Sequence, residues 1–126
     1  MLFAVVVMRA GAQTIYIDTH LANSNPIKQE LVGKLQKWGK ATVVNLPEQA
    51  QLILQLDQTG RLDCSFNTAC GNRGSAVLKD RLTGDELWSE EKGGAWQMSG
   101  WSRAAVGRKL GDELIKFLSK RQQSGP

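Results

Sequence analysis

The sequence is poor in the side chains on which metal binding and nucleophilic catalysis depend. Its 126 residues include one histidine, His20, and two cysteines, and this set does not supply the four ligands of a structural metal site. No G-x-x-x-x-G-K-[ST] phosphate loop occurs, and no G-x-G-x-x-G follows a predicted strand. Residues 100–104 approach the G-x-S-x-G pattern of serine hydrolases around Ser102 but lack its last glycine. We therefore predict no metal site, no cofactor and no catalytic residue, with a hydrolase that uses Ser102 as the least favoured alternative.

Long apolar runs and dense basic runs are also missing. The apolar run at residues 2–8 is far shorter than the about 20 residues that a transmembrane helix needs, so the chain is not predicted to span a membrane. Small residues follow at positions 10–12, and we interpret residues 1–12 as the remnant of a signal peptide cut after Ala12. A buried first strand is the alternative. Sixteen basic and twelve acidic residues give a net charge of +4 without a dense Lys/Arg cluster, which argues against a nucleic-acid partner.

Size and cysteine content favour a small exported domain. A chain of 126 residues, 41% of them hydrophobic, is long enough for one core. We predict a single domain over residues 13–121 and a flexible tail over residues 122–126. An even number of cysteines in an exported chain favours a disulfide, here between Cys64 and Cys70. The predicted location is therefore periplasmic or secreted.

The first half of the chain alternates strand and helix patterns. Residues 14–18 are β-branched and aromatic in alternation, as in a strand. Asn25, followed by proline, favours a helix start, and apolar residues then recur on one helical face up to a stop at Gly39. Further strands are predicted at residues 41–44 and 51–57, the second with leucines on one face and mostly polar residues on the other.

A long loop, a hairpin and a second helix make up the other half. Residues 58–74 are rich in glycine and polar side chains and hold both cysteines, so they are predicted to form a loop. A helix is expected from about Ser102 to about Lys120. Gly107 and Gly111 lie one turn apart in it, and we expect them to let the helix approach the sheet closely. The element order is thus β-α-β-β-β-β-α, an α+β fold with a mostly antiparallel sheet of about five strands and two helices on one face.

One stretch, residues 76–88, is predicted to be a β-hairpin. Two runs suited to strands flank residues 83–85, where Gly84 can adopt the positive φ of a tight connection. We interpret Asp80 and Thr83 as turn residues, and we expect Trp88 to point toward the final helix.

The hairpin also carries a resemblance to known proteins. Its matching residues are Asp80, Thr83, Gly84, Leu87 and Trp88. With the strand at residues 15–18 and the apolar run at residues 50–54, they resemble a family of small uncharacterised exported bacterial proteins, although Gln51 stands where that pattern has an acidic residue. More distantly, the hairpin and the element order are similar to the TolB amino-terminal domain, the curli-secretion lipoprotein and the penicillin-binding-protein activator lipoproteins. The resemblance implies this fold and no catalytic residues. Because Gln13, not cysteine, follows the proposed cut, it does not imply a lipid anchor.

Binding is the predicted activity. Trp96 and Trp101 lie in a glycine-rich segment, and tryptophan is frequent at binding hot spots; the alternative for Trp101 is a place in the core. We predict a non-catalytic periplasmic or secreted domain that binds a protein or an envelope component through this segment and the cysteine loop. The alternative is a glycan- or peptidoglycan-binding module in which Trp96 and Trp101 stack on sugar rings beside Arg103.

Overall fold

The computed structural model describes residues 13–61, 72–93 and 102–124. The elements in chain order are strand β1 (Gln13–Thr19), helix α1 (Pro26–Trp38), strands β2 (Ala41–Val44), β3 (Leu52–Arg61), β4 (Asn72–Asp80) and β5 (Glu86–Gly93), and helix α2 (Arg103–Ser124). A short 3₁₀ turn, Pro47–Gln49, lies between β2 and β3. The predicted order β-α-β-β-β-β-α is confirmed, and α2 continues to Ser124 instead of ending near Lys120. None of the described helices is long and apolar enough to cross a bilayer.

The five strands form one mixed sheet in the order β2-β1-β3-β4-β5. Strand β1 runs parallel to both β2 and β3, whereas β3-β4 and β4-β5 are antiparallel. The antiparallel pairings are the longer ones and make up the larger part of the sheet. The predicted α+β class with five strands is confirmed.

The parallel part follows from two connections that cross the sheet in opposite directions. Helix α1 carries the chain from β1 to β2, as in a β-α-β unit. Residues 45–51 then bring it back past β1, so that β3 begins on the other side of β1. There the Gln51 N–H donates to the Thr14 carbonyl oxygen at 3.1 Å, and the Thr14 N–H donates to Gln51 Oε1 at 3.2 Å. The glutamine that departs from the family pattern therefore anchors the start of β3 to β1.

A single layer of apolar side chains lies between the sheet and the helices. Every second residue of β1, β3 and β4 is buried, because successive side chains of a strand point to opposite faces. The buried apolar residues of the strands are Ile15, Ile17, Ala41, Leu52, Leu54, Leu56, Ala76 and Leu78, and those of the helices are Ile27, Leu31, Leu35, Val106, Leu110, Leu114 and Leu118. All belong to one cluster, so both helices cover the same face, as predicted.

The predicted ends of α1 are confirmed by their hydrogen bonds. Asn25 Oδ1 accepts from the Ile27 N–H at 2.8 Å, and Pro26 occupies the first helical position, where its missing N–H would have had no helical acceptor. At the other end, the Gly39 N–H donates to the Leu35 carbonyl oxygen at 3.1 Å. Local chemistry is thus sufficient to start and stop this helix.

Gly107 and Gly111 bring α2 close to α1, and the prediction that they face the sheet is wrong. A Cβ on Gly107 would lie 2.5 Å from the Ile27 carbonyl oxygen, and Gly111 faces the same helix. The close approach to the sheet occurs at Gly74 of β4, where a Cβ would lie 2.8 Å from Val106 Cγ1. Two helices on one face pack against each other as well as against the sheet, so a small residue in α2 has two possible partners.

Candidate functional site

The two segments predicted to bind a partner leave the sheet side by side. Residues 62–71, which hold both cysteines, follow Arg61 of β3 and precede Asn72 of β4. Residues 94–101, which hold two tryptophans, follow Gly93 of β5. Arg61 pairs with Asn72, and the next residue of β4 pairs with Gly93. The ends of both segments therefore lie on adjacent strands at one end of the sheet, which we call the loop end.

Of the predicted site residues, the structure describes Arg103. It is the first residue of α2 and is half-buried. The predicted residues outside the described part are Trp96, Trp101, Cys64 and Cys70. Their binding and disulfide roles therefore stay predictions.

The start of α2 is fixed to the sheet at the loop end. Ser102 Oγ accepts from the Ala105 N–H at 3.0 Å, and the Ser102 carbonyl oxygen accepts from the Val106 N–H at 3.0 Å, as expected for an N-cap. Val106 is buried against Gly74 of β4. Among the described residues, no hydrogen bond joins Ser102 to His20. The hydroxyl that a hydrolase would use thus serves to cap the helix.

A polar network links the strands at the loop end. Glu91 of β5 accepts a hydrogen bond from the Thr59 hydroxyl of β3 at 3.0 Å and lies 4.0 Å from the Arg73 guanidinium of β4. The Gln58 amide donates to Asn72 Oδ1 at 2.9 Å. The two exposed contacts of Glu91 stabilise the fold by at most about 1 kcal/mol each. Their main effect is to orient the strand ends from which the two segments leave.

A shallow depression of about 200 Å³ opens where β1 ends beside the middle of β3. Its lining residues are Asp18, Thr19, His20, Gln55, Leu56 and Asp57. His20 is exposed, and the described residues contain no group of three or more side chains able to hold a metal ion. The sequence gives no sign of this depression, because it requires knowing that β1 and β3 are neighbours.

The β4-β5 hairpin lies at the opposite end, and its polar residues stabilise the turn. Asp80 Oδ1 accepts from the backbone N–H groups of Leu82 at 2.9 Å and Thr83 at 3.1 Å, and Gly84 has a φ of +78°. These donors, the Thr83 N–H foremost, hold the pKa of Asp80 below its ordinary value. The interpretation of Asp80 and Thr83 as turn residues is confirmed.

Trp88 belongs to the core layer and not to the loop end. It pairs across the antiparallel strands with buried Leu78. Its ring centroid lies 6.3 Å from that of Phe117 of α2, with the planes tilted by 31°. Trp88 therefore points toward the final helix, as predicted.

Comparison with known proteins places the fold. No protein-family model matches the sequence, and a search of curated proteins finds no match. TolB from Acinetobacter baumannii is similar in structure with a TM-score of 0.61 and 16% identity over 86% of this chain, which spans only 29% of the TolB chain. A PelC dodecamer from Paraburkholderia phytofirmans gives a TM-score of 0.58 and 15% identity over 92% of this chain and 94% of PelC. A protein from Xanthomonas campestris gives a TM-score of 0.51 and 12% identity, and the match covers 90% of this chain and 88% of that protein. At these identities the comparisons establish the fold, and the predicted resemblance to the TolB amino-terminal domain is confirmed.

Proposed function

We propose that the chain is a non-catalytic domain of the bacterial cell envelope that binds a protein or another envelope component at its loop end. The observation that carries this proposal is the exit of residues 62–71 and 94–101 from adjacent strands of one sheet. Loops positioned by a rigid scaffold are the usual carriers of binding function. Two segments attached this close together can contribute to one surface.

The chemistry of these segments suits contact with a partner. Trp96 and Trp101 offer large contact area, and Arg103, at the start of α2, adds a cation beside them in sequence. A disulfide between Cys64 and Cys70 would restrict the other segment and lower the entropy that it loses on binding. Sugar rings also stack on tryptophan, so a glycan is the alternative ligand.

An envelope location is supported from two sides. The predicted signal peptide at residues 1–12 implies export. The fold is shared with TolB and with PelC, and the resemblance of the hairpin is to exported bacterial proteins. The PelC structure is a dodecamer, so the fold is compatible with self-association as well as with binding.

The test is capture of partners from an envelope extract by the tagged chain and by its Trp96→Ala and Trp101→Ala variants. We expect each variant to capture at least about tenfold less partner than the unmodified chain does, as at a binding hot spot. Leu82→Ala is the matched control, because Leu82 is 82% exposed at the opposite end of the sheet. The glycan alternative is tested by adding muropeptides and measuring tryptophan fluorescence. An unchanged signal at saturating concentration would exclude that alternative. Retention of every partner by both tryptophan variants would contradict the proposed site.

A further inference from the structure

The two faces of the molecule carry opposite charge. Helices α1 and α2 contain nine basic and three acidic residues. All three acidic residues already pair within this helix layer, in the ion pairs Lys34–Asp112 at 2.8 Å, Arg108–Glu30 at 3.8 Å and Lys116–Glu113 at 3.6 Å. By sequence count, the helix layer has six more basic than acidic residues, an excess larger than the net +4 of the whole chain. The helix layer is therefore the positive face.

The opposite face of the sheet has more acidic than basic residues, and an apolar row runs across it from the edge strand β2 to the central strand β3. The side chains on this face alternate with the buried ones along the strands, and we call this surface the open face. Its residues are Thr14, Tyr16, Asp18, Thr42, Val44, Ile53, Gln55, Asp57, Arg73, Ser75, Val77, Lys79, Glu86, Ser89 and Glu91. Four of these are acidic and two are basic. Tyr16 pairs with Val44 on one side and with Ile53 on the other, which gives a half-buried apolar row next to the acidic residues.

The open face has the size of a protein interface. Five strands about 4.8 Å apart, with about seven residues each at about 3.3 Å per residue, give a face of about 24 Å by 23 Å. This is about 550 Å² before side-chain relief is counted, which approaches the about 800 Å² per partner of a standard complex. Helices α1 and α2 contribute their buried residues to the core on the other side of the sheet, so neither of these two helices covers the open face.

We infer that the open face docks on the helix layer of a second copy of this chain, head to tail. Complementary charge favours this contact, whereas two open faces would oppose acidic residues and two helix layers would oppose basic ones. The apolar row through Tyr16 supplies the surface to be buried, and the aliphatic stems of helix-layer lysines can cover it while their ammonium groups reach the acidic residues of the open face. Because the two docking surfaces differ, each copy can bind two neighbours, and the contact repeats.

Charge reversal tests the two surfaces separately. Asp57 on the open face and Lys109 on α2 are both exposed, so Asp57→Lys and Lys109→Glu change charge without disturbing the core. Asp85→Lys is the matched control, since Asp85 is exposed in the hairpin turn and lies on neither surface. The full chain and each variant are measured by sedimentation over a range of protein concentrations, after circular dichroism has shown an unchanged fold.

We expect the unmodified chain to associate beyond a monomer, and to do so less at about 0.5 M salt, where surface charges are screened. Asp57→Lys and Lys109→Glu should each raise the dissociation constant at least about tenfold, with Asp85→Lys within about twofold of the unmodified chain. An equimolar mixture of the two interface variants should associate again, because their reversed charges are complementary. A monomer at about 0.5 mM in low salt, equal effects of Asp57→Lys and Asp85→Lys, or failure of the mixture to associate would overturn the inference.

Discussion

Replacing Gly107 by alanine tests the contact that holds the two helices together. The added Cβ would lie 2.5 Å from the Ile27 carbonyl oxygen and 2.9 Å from Glu30 Cβ, whereas nonbonded carbon atoms rest at about 3.5–4.0 Å. The oxygen belongs to the α1 backbone, so the helices have to separate. Alanine is favoured over glycine within a helix by about 0.8–1.0 kcal/mol, but overpacking costs about 1–3 kcal/mol. Because the clash is with backbone, the cost should lie near the upper end of this range, and we expect the free energy of unfolding to fall by about 2 kcal/mol once the propensity gain is subtracted.

Two other glycines provide matched controls for this variant. Nothing lies within 4 Å of a Cβ on Gly33, which is exposed on α1, so Gly33→Ala should raise the free energy of unfolding by about 0.8–1.0 kcal/mol. A Cβ on Gly111 would lie 3.0 Å from Lys34 Cβ. This side chain can shift slightly. For Gly111→Ala, the gain in helix propensity and the cost of the tight contact should therefore nearly cancel.

Chemical denaturation followed by far-UV circular dichroism measures all three variants under one condition. The expected order of stability is Gly33→Ala, then the unmodified chain and Gly111→Ala together, then Gly107→Ala. For a domain of this size, 1 kcal/mol corresponds to a shift in Tm of about 4 °C. If Gly107→Ala stabilised the chain as much as Gly33→Ala does, the α1–α2 contact described above would be refuted.

Three further changes test the local structure. Asn25→Ala should lower the free energy of unfolding by about 1 kcal/mol in urea, because the Ile27 N–H loses its cap. Gly93→Ala should lower it by about 3 kcal/mol or more in the same assay, since Gly93 has a φ of +106° and a Cβ there would overlap the Asn72 carbonyl oxygen. The pKa of Asp80 is lowered in the folded state, so its stabilisation is present above the ordinary carboxyl pKa and is lost as the pH falls through the lowered value. Asp80→Asn should therefore be less stable than the unmodified chain at neutral pH. Its free energy of unfolding, measured in urea at a series of acidic pH values, should also fall less as the pH is lowered.

Features set by neighbours in sequence were predictable. Asn25, proline and Gly39 specify the ends of α1 through hydrogen bonds within a few residues. The β4-β5 turn is similarly local, because Asp80 binds N–H groups two and three residues ahead. The leucines of β3 alternate with polar residues and so fix which side of that strand is buried.

Features set by contacts distant in sequence were not predictable from these patterns. The chain does not reveal that β3 pairs with β1 instead of β2, and hence that Asp18 and Asp57 line one depression. Gly107 indicates a close contact but not whether the partner is a helix or the sheet. No neighbour of Gly74 in the sequence explains why this position is a glycine. The reason is that Val106 of α2 packs against it. Each case depends on a pairing between segments far apart in the chain.

The loop end and the open face share Arg73 and Glu91, but the apolar row through Tyr16 lies toward the opposite end of the sheet. Binding and self-association can therefore occur together. In a head-to-tail assembly each copy has the same relation to the next, and the loop ends recur at a fixed spacing. Repeated sites raise the apparent affinity for a multivalent partner by about 10²–10⁴ without new contacts. Asp57→Lys should therefore weaken binding to a partner displayed in many copies on a surface and leave binding to a soluble, monovalent partner unchanged, as plasmon resonance can measure. Trp101→Ala should weaken both. An equal loss in the two formats for Asp57→Lys would instead place Asp57 in the partner site itself.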